Sequence, residues 1–569
     1  MKKYIRNVTI AAVSIAALTL AACGSDGNSS SSTANNSSSS TSAGGLEINL
    51  AGSYAITDRD QIQDGGTLTL PIAEIAHQQN VFHGDMSLYT RTLWSTYNPQ
   101  VTLFDGAGNW EANPDYISEV TDEVVDGKTV VTYTVVDEAT YNDGTPIDWR
   151  AFENTWKFNN GFSTNVVPNS SDGYDLVESV TRGDTDKQAV VTFSRTYAWW
   201  QGLFNNLLHP AVDSEEKFNT LYLDQVQPDL GAGPFKIEKV DFNTGEATFV
   251  RNEKWWGDEA KLEKITYRQL ESQATINAFQ AGEIDAASVA TKDNLAIARG
   301  MGDAIELRAA MTPSNYLLTI NSAAPHLGDI KVREAIMTAI DRSQLAAIRF
   351  NGLDYSEPLP GSFLLYPSQE GYVDNFGSIV SFDVDKAKSL LSEAGYAEGS
   401  DGFVQKDGQT LSLRYVITGD SQMVKSTATA MQKMLKDIGI DMQVVERPSA
   451  DFSRVVAEKD FDLFMSGFRA SDPFGVAGIN QIYASDSSLN NSGTGTPEID
   501  AKLLKLQDIS DPDEQTKAAM EVEKEALATY GIMPYANGPD ITAVKKGLVN
   551  YGAFFFAIMP KEDIGWIKN

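Results

Sequence analysis

The sequence predicts a mixed α/β protein built from several lobes. Three observations carry that reading: apolar residues alternating at period two, amphipathic helical stretches closed by glycines, and a body of more than 500 residues. A typical domain has about 100–150 residues, so a body of this size divides into two or three. In chain order, Gly66–Ile72 places Leu68, Leu70 and Ile72 on one face of a strand. Asp126-Gly127 suits a tight hairpin turn with positive φ. The strand after it sets Val131, Tyr133 and Val135 against Thr132 and Thr134. Ile276 and Phe279 mark a helix closed by Gly282, and Ile284–Val289 reads as extended. Val332–Ile340 is helical, with Val332, Ala335, Ile336 and Ala339 as its stripe. Asp385–Glu393 and Met423–Ile438 repeat that design, and Gly395 and Gly439 follow them as left-handed C-terminal caps. Between them, Leu411, Leu413, Tyr415 and Ile417 alternate as a strand. No tandem repeat of about 20–50 residues is present, which excludes a solenoid or propeller.

The N-terminus reads as an export signal. Lys2, Lys3 and Arg6 precede an apolar run from Val8 to Ala22, which ends in Leu20-Ala21-Ala22-Cys23. The run falls short of the about 20 apolar residues of a membrane span. Small residues before a cysteine resemble the bacterial lipobox, which implies lipidation of Cys23. Cys23 is the only cysteine, so cysteine metal sites and a cysteine nucleophile in the body are excluded. Residues 1–22 are therefore expected to be a signal peptide. Residues 23–60 are expected to be the lipidated cysteine and a disordered tether. Gly24–Gly45 is nearly all Ser, Asn, Thr, Gly and Ala. Fully extended, that tether reaches about 70 Å at about 3.3 Å per residue. The net charge of −32 disfavours nucleic acid and anionic lipid surfaces.

Six segments in order carry a family resemblance: Gly65-Gly66-Thr67-Leu68, Tyr141-Asn142-Asp143-Gly144-Thr145-Pro146-Ile147, Gly231-Ala232-Gly233-Pro234-Phe235, Arg251-Asn252-Glu253-Lys254-Trp255-Trp256-Gly257, Ala281-Gly282-Glu283-Ile284-Asp285, and Val332-Arg333-Glu334-Ala335 through Ala339-Ile340-Asp341-Arg342. Together they resemble the peptide/nickel-type (family 5) extracellular solute-binding proteins of ABC transporters. The resemblance implies a periplasmic-binding-protein type II-like fold, with two hinged α/β lobes, an extra inserted domain and a cleft between lobes. The corresponding division is 61–103, 230–312 and 535–569 for lobe I, 104–229 for the extra domain, and 313–534 for lobe III. Most of the motif residues are read as scaffold, with Arg333 and Asp341 expected in structural ion pairs.

The resemblance also implies contacts. Relatives bind the ligand ammonium with an acid after a "G-W-x-x-D" segment. Here the segment is Gly467-Phe468-Arg469-Ala470-Ser471-Asp472-Pro473, with Ser471 at the expected position and Asp472 one residue late. Ser471 and Asp472 are therefore candidate cleft residues, and Arg469 a candidate partner for a ligand carboxylate. Phe82-His83-Gly84 falls where relatives offer a strand edge to the ligand backbone. Tyr316 and Asn321 fall on a crossing strand near the cleft. The pairs Trp199-Trp200 and Trp255-Trp256 are expected to fill cores.

Capture and delivery without chemistry is the expected function. The ligand is an oligopeptide or other small molecule, and the partners are an ABC permease with its ATPase subunits. The protein is expected as a monomer, lipid-anchored on the extracellular face of a bacterial membrane, with the Gram-positive arrangement favoured by the long tether. No cofactor and no metal are called for. H-E-x-x-H, G-x-S-x-G and Walker phosphate-loop patterns are absent. The competing readings are an oligosaccharide receptor, a metal-chelate receptor, for which there are only four histidines, and a surface sensor or adhesin.

Overall fold

The computed structural model describes residues 41–43, 46–470 and 472–568. Cys23, the apolar leader, nearly all of the Ser/Asn-rich stretch and Ser471 lie outside the described residues.

Among the described residues, the three sheets of four or more strands and their helices build most of the body. The first has the order Phe235–Asp241, Glu246–Arg251, Lys264–Gln269, Thr67–Ile72. Its last pair is parallel, with Tyr267 opposite Leu70. Leu68, Leu70 and Ile72 are buried, as their alternation predicts, and pack with Leu93 and Tyr97 of helix Leu88–Tyr97. Withdrawing such a side chain from water contributes about 1.5–3 kcal/mol. The second sheet is antiparallel, in the order Ile117–Val125, Lys128–Val135, Gln188–Phe193, Val177–Arg182. Asp126 (φ 52°) and Gly127 (φ 79°) form the expected hairpin turn. Val131, Tyr133 and Val135 are buried on one face, against Ala151 and Phe152 of helix Trp149–Asn159.

The third sheet is mixed and five-stranded: Asp441–Arg447, Ser412–Thr418, Leu463–Arg469, Ser314–Ile320, Ile532–Ala536. Ser412–Thr418 runs parallel to both of its neighbours, and Ser314–Ile320 antiparallel to both of its own. Helices Ile330–Ala339, Val384–Glu393 and Gln422–Asp437 bury their predicted stripes in the core cluster they share with this sheet, and Gly395 (φ 88°) and Gly439 (φ 81°) take the left-handed conformation after the last two. The strand at 412–418 departs from simple alternation. Tyr415, Val416 and Ile417 are all buried, because Val416 faces a separate apolar cluster with Val455, Phe461 and Phe464. Both faces of this strand are covered, which removes the polar half of the pattern.

Two short crossings link the third sheet to a small antiparallel sheet, in the order Ala286–Ser288, Pro539–Lys545, Ile305–Met311. One runs through residues 312–313, the other through Asn537 and Gly538. Asn537 Nδ2 donates to Ser314 O (2.8 Å) and Asn315 Oδ1 (2.7 Å), tying the crossings together. Glu357 accepts the backbone N–H groups of Asn537 (2.6 Å) and Gly538 (3.0 Å).

Two scaffold residues differ in detail from expectation. Among the described residues Arg333 makes no carboxylate pair; its guanidinium donates to the carbonyls of Leu327 (2.8 Å) and Thr529 (2.9 Å). Asp341 accepts from Ser343 N (3.0 Å) and Gln344 N (3.3 Å) as the N-cap of helix Arg342–Phe350.

Candidate functional site

A cavity of about 600 Å³ lies where the sheets meet. Helix Leu88–Tyr97 supplies Leu88, Arg91, Thr92 and Ser95 to one side. The second sheet's connections supply Asn169, Ser170, Asp172 and part of the 197–206 stretch. The third sheet supplies Leu317, Thr319 and the end of strand Leu463–Arg469, followed by Asp472 and Phe474. The loop Phe554–Glu562 lines the cavity without a break.

Hydrogen bonds span the rim. On one side, Ser453 N–H donates to Glu74 Oε1 (3.2 Å) and Ser453 Oγ to Oε2 (2.8 Å). Ser449 repeats this double contact with Glu271, at 2.7 Å for each bond. On the other side, Gln481 N–H donates to Asp172 (3.0 Å) and Gln507 Nε2 to Asp175 (3.0 Å). Trp199 with Gln515 and Arg195 with Asp508 also pair there. Burial pushes Glu74 and Asp172 each up to about 7, even though both accept hydrogen bonds that favour the anion.

Six charged side chains line the cavity: Arg91, Asp172, Arg469, Asp472, Lys561 and Glu562. Burial lowers the Arg91 guanidinium, with Asp472 opposing that shift and Arg469 adding to it. Burial lowers Lys561, and burial raises Glu562 well above the usual carboxylate range, with the neighbouring Asp115 pushing the same way. Behind Arg469, Asp540 is raised by burial and partly restored by that guanidinium.

The residues singled out in the sequence divide into two groups. Phe82, Arg469 and Asp472 line the cavity. Asp472 Oδ1 also accepts from Phe474 N (2.9 Å), which shapes the turn before the cavity wall. His83, Gly84, Tyr316 and Asn321 are held elsewhere. Gly84 N–H donates to Val167 O (2.8 Å), and Phe82 O accepts from Asn169 N (2.7 Å). The strand edge expected to meet a ligand is therefore already paired with residues 167–169. His83 is buried, with Nδ1 accepting from Asp85 N (3.0 Å). Tyr316 lies on the strand that reaches the cavity, but Leu317 and Thr319 point in. The Tyr316 ring is on the other face, under the Arg349 guanidinium at 3.1 Å from its centroid. Asn321 Nδ2 donates to Phe461 O (3.0 Å) and Lys459 O (3.3 Å), a scaffold role. Ser471 lies outside the described residues. Trp200 is buried and Trp255–Trp256 pack on Tyr116, while Trp199 and Trp255 also reach the cavity.

Arg91, Asp172, Lys561 and the run Phe554-Phe555-Phe556 were not singled out in the sequence. The available signal was the phenylalanine triplet itself, set between Gly552 and Pro560 outside any alternating pattern. Among the described residues, no group of three or more His, Cys, Asp or Glu side chains is placed to hold a metal ion. No helix among them is long and apolar enough to cross a membrane.

A cavity walled by separate sheets, which are joined by two short crossings, is the architecture of a solute-binding protein of the periplasmic-binding-protein type II fold. The family described as "Bacterial extracellular solute-binding proteins, family 5 Middle" matches residues 110–490, and the chain belongs to it. It is 33% identical over 520 residues to the "Oligopeptide-binding protein OppA" of Mycobacterium tuberculosis, covering 90% of this chain and 86% of that relative. It is 27% identical over 365 residues to the "Probable monoacyl phosphatidylinositol tetramannoside-binding protein LpqW" of the same species, covering 59% of this chain and 56% of LpqW. Among solved structures, AppA from Bacillus subtilis in complex with a nonapeptide matches with a TM-score of 0.77 at 18% identity, covering 89% of this chain and 100% of AppA.

Proposed function

We propose that this protein captures extracellular oligopeptides in the cavity and delivers them to the permease of an ABC importer. The observation that carries the reading is the cavity of about 600 Å³ between the sheets, found in a chain of this family. Its volume falls within the range of about 300–1,000 Å³ usual for small-ligand sites. Similarity to an oligopeptide-binding relative over 90% of the chain supports peptide as the ligand class. Residues 61–103, 230–312 and 535–569 act as one lobe, 104–229 as the extra domain and 313–534 as the facing lobe. The crossings at 312–313 and 537–538 serve as the hinge, and the rim bonds hold the closed arrangement. Asp472 holds the peptide ammonium, and Arg469 with Arg91 meets a carboxylate. Ionised partners of this kind bind more tightly than neutral ones. The chain performs no catalysis. Lipid on Cys23 anchors it at the outer face of the membrane as a monomer.

Titration calorimetry against defined peptides, oligosaccharides and nickel chelates tests the reading. Saturable binding of peptides, with a melting temperature that rises with ligand concentration, is the expected result. Binding of an oligosaccharide or chelate with no peptide binding overturns it.

A further inference from the structure

The loop Phe554–Glu562 begins with seven consecutive residues that have no charged or hydrogen-bonding side chain: Phe, Phe, Phe, Ala, Ile, Met, Pro. All seven line the cavity. The loop's backbone is fixed at a few points. Ala553 exchanges two hydrogen bonds with Ser53, Ala557 N–H closes a turn on Phe554 O (2.9 Å), and Ile558 N–H donates to Phe104 O (2.9 Å). The side chains of this wall therefore offer a ligand apolar surface.

Phe555 sits inside that turn with φ 53°. A bulky aromatic residue in the left-handed region is a genuine outlier, held only where its surroundings over-determine it, and such residues gather at ligand clamps. The pinned positions on either side of the turn provide that constraint here. Core filling does not explain the ring. Phe556 is buried, whereas Phe554 and Phe555 stay half-buried at the cavity surface. Phe555 packs on Phe556 with ring centroids 4.3 Å apart, so its orientation is supported from behind. Phe474 and Trp199, with centroids 6.1 Å apart, add aromatic surface to the same cavity. The exposed part of such a ring gains contact only when apolar ligand surface covers it.

We propose that Phe555 is a specificity-determining residue, and that this protein selects oligopeptides carrying a bulky aromatic or branched apolar side chain. The proposal rests on the oligopeptide reading and narrows it. A family receptor that recognised only main chain and termini would tolerate any side chain at this wall.

The test is titration calorimetry of the full chain with tetra-alanine and with four tetrapeptides that carry one phenylalanine at each position in turn. At least one phenylalanine peptide is expected to bind about tenfold or more tightly than tetra-alanine, the discrimination an apolar pocket provides. Phe555→Gly and Phe555→Asn both accept positive φ, so both should fold. In each, the preference should shrink to about threefold or less while tetra-alanine affinity stays within about threefold of the native value. Equal affinities for all five peptides in the native protein overturn the proposal. A preference that survives both substitutions, or an equal loss for all peptides, overturns it as well. Failure of every peptide to bind sinks the oligopeptide reading, and the specificity falls with it.

Discussion

Phe82–Gly84 and Phe554–Glu562 reach the same cavity in opposite ways. The first was expected to present a free backbone edge, yet Val167 and Asn169 already take its hydrogen bonds, and only the Phe82 side chain faces inward. The second pins its backbone to Ser53 and Phe104 and turns a continuous row of side chains into the space. In both, some main-chain groups are tied into the protein, at residues 167–169 for the first and at Ser53 and Phe104 for the second. What differs is the amount of side-chain surface left for a ligand. The wall with more side chains facing the cavity should matter more for recognition.

The largest expected effect comes from undoing what holds a wall in place. Phe363 and Leu364 line the cavity, and their N–H groups donate to Glu523 Oε1 (2.7 and 3.3 Å). Asn375 (3.0 Å) and Tyr483 (3.1 Å) complete the shell of this buried carboxyl. Glu523→Ala strands several buried donors at once and should cost about 3 kcal/mol of stability, measured by urea denaturation. A loss well under 1 kcal/mol would mean that the wall is set by packing alone.

Next is the charged side of the cavity. If Asp472 both offsets Arg91 and holds the ligand ammonium, Asp472→Ala should weaken peptide binding about tenfold, or about 1.4 kcal/mol. Unchanged affinity would remove Asp472 from the site and leave the aromatic loop as its principal determinant.

The rim gives a pH-dependent prediction. Glu74 is pushed up to about 7 by burial, with the Ser453 hydrogen bonds and His77 opposing and Asp451 raising it further. An exposed glutamate titrates near 4.3, so the closed arrangement binds a proton that an open one releases. The resulting stabilisation is fully present below about pH 4, and is lost as pH rises through about 7. Asp172, also raised to about 7, with Asp175 adding to the shift, acts in the same direction. Peptide affinity should therefore fall between about pH 4 and pH 7 and level off above that. Glu74→Gln should flatten part of that slope and the Glu74→Gln/Asp172→Asn pair most of it. A slope that ignores both substitutions would place the proton elsewhere.

These tests also mark what the sequence could reveal. Strands and helices were legible where one face is buried, as at Leu68, Leu70 and Ile72, because alternation records burial directly. The strand reaching the cavity was legible as well, but not its face. Tyr316 and Leu317 differ by one position, and only the packed Arg349 decides which of them turns away. Arg469 and Asp472 stood out because they sit in a local motif. Arg91, Asp172 and Lys561 did not, because each is brought to the cavity by long-range packing that leaves no local pattern. The pairing of the edge at Phe82–Gly84 was not legible for the same reason: its partner lies more than eighty residues away.

The smallest expected effect sharpens the opening contrast most directly. His83 belongs to the segment whose polar groups are taken, and its ring is buried beside Phe218 at 5.9 Å. Burial lowers its proton affinity, with Asp85 opposing, which suits a neutral ring accepting from Asp85 N. His83→Ala should cost about 1–2 kcal/mol of stability through lost packing. Peptide affinity should stay within about twofold of native, because His83 does not line the cavity and acts away from the ligand-facing groups. Calorimetry at pH 7 on the folded variant reads this directly. A large loss of affinity with stability intact would mean that residues 167–169 release this edge when ligand enters, so that main-chain pairing contributes to recognition after all. Unchanged affinity leaves recognition with the side chains of the facing wall.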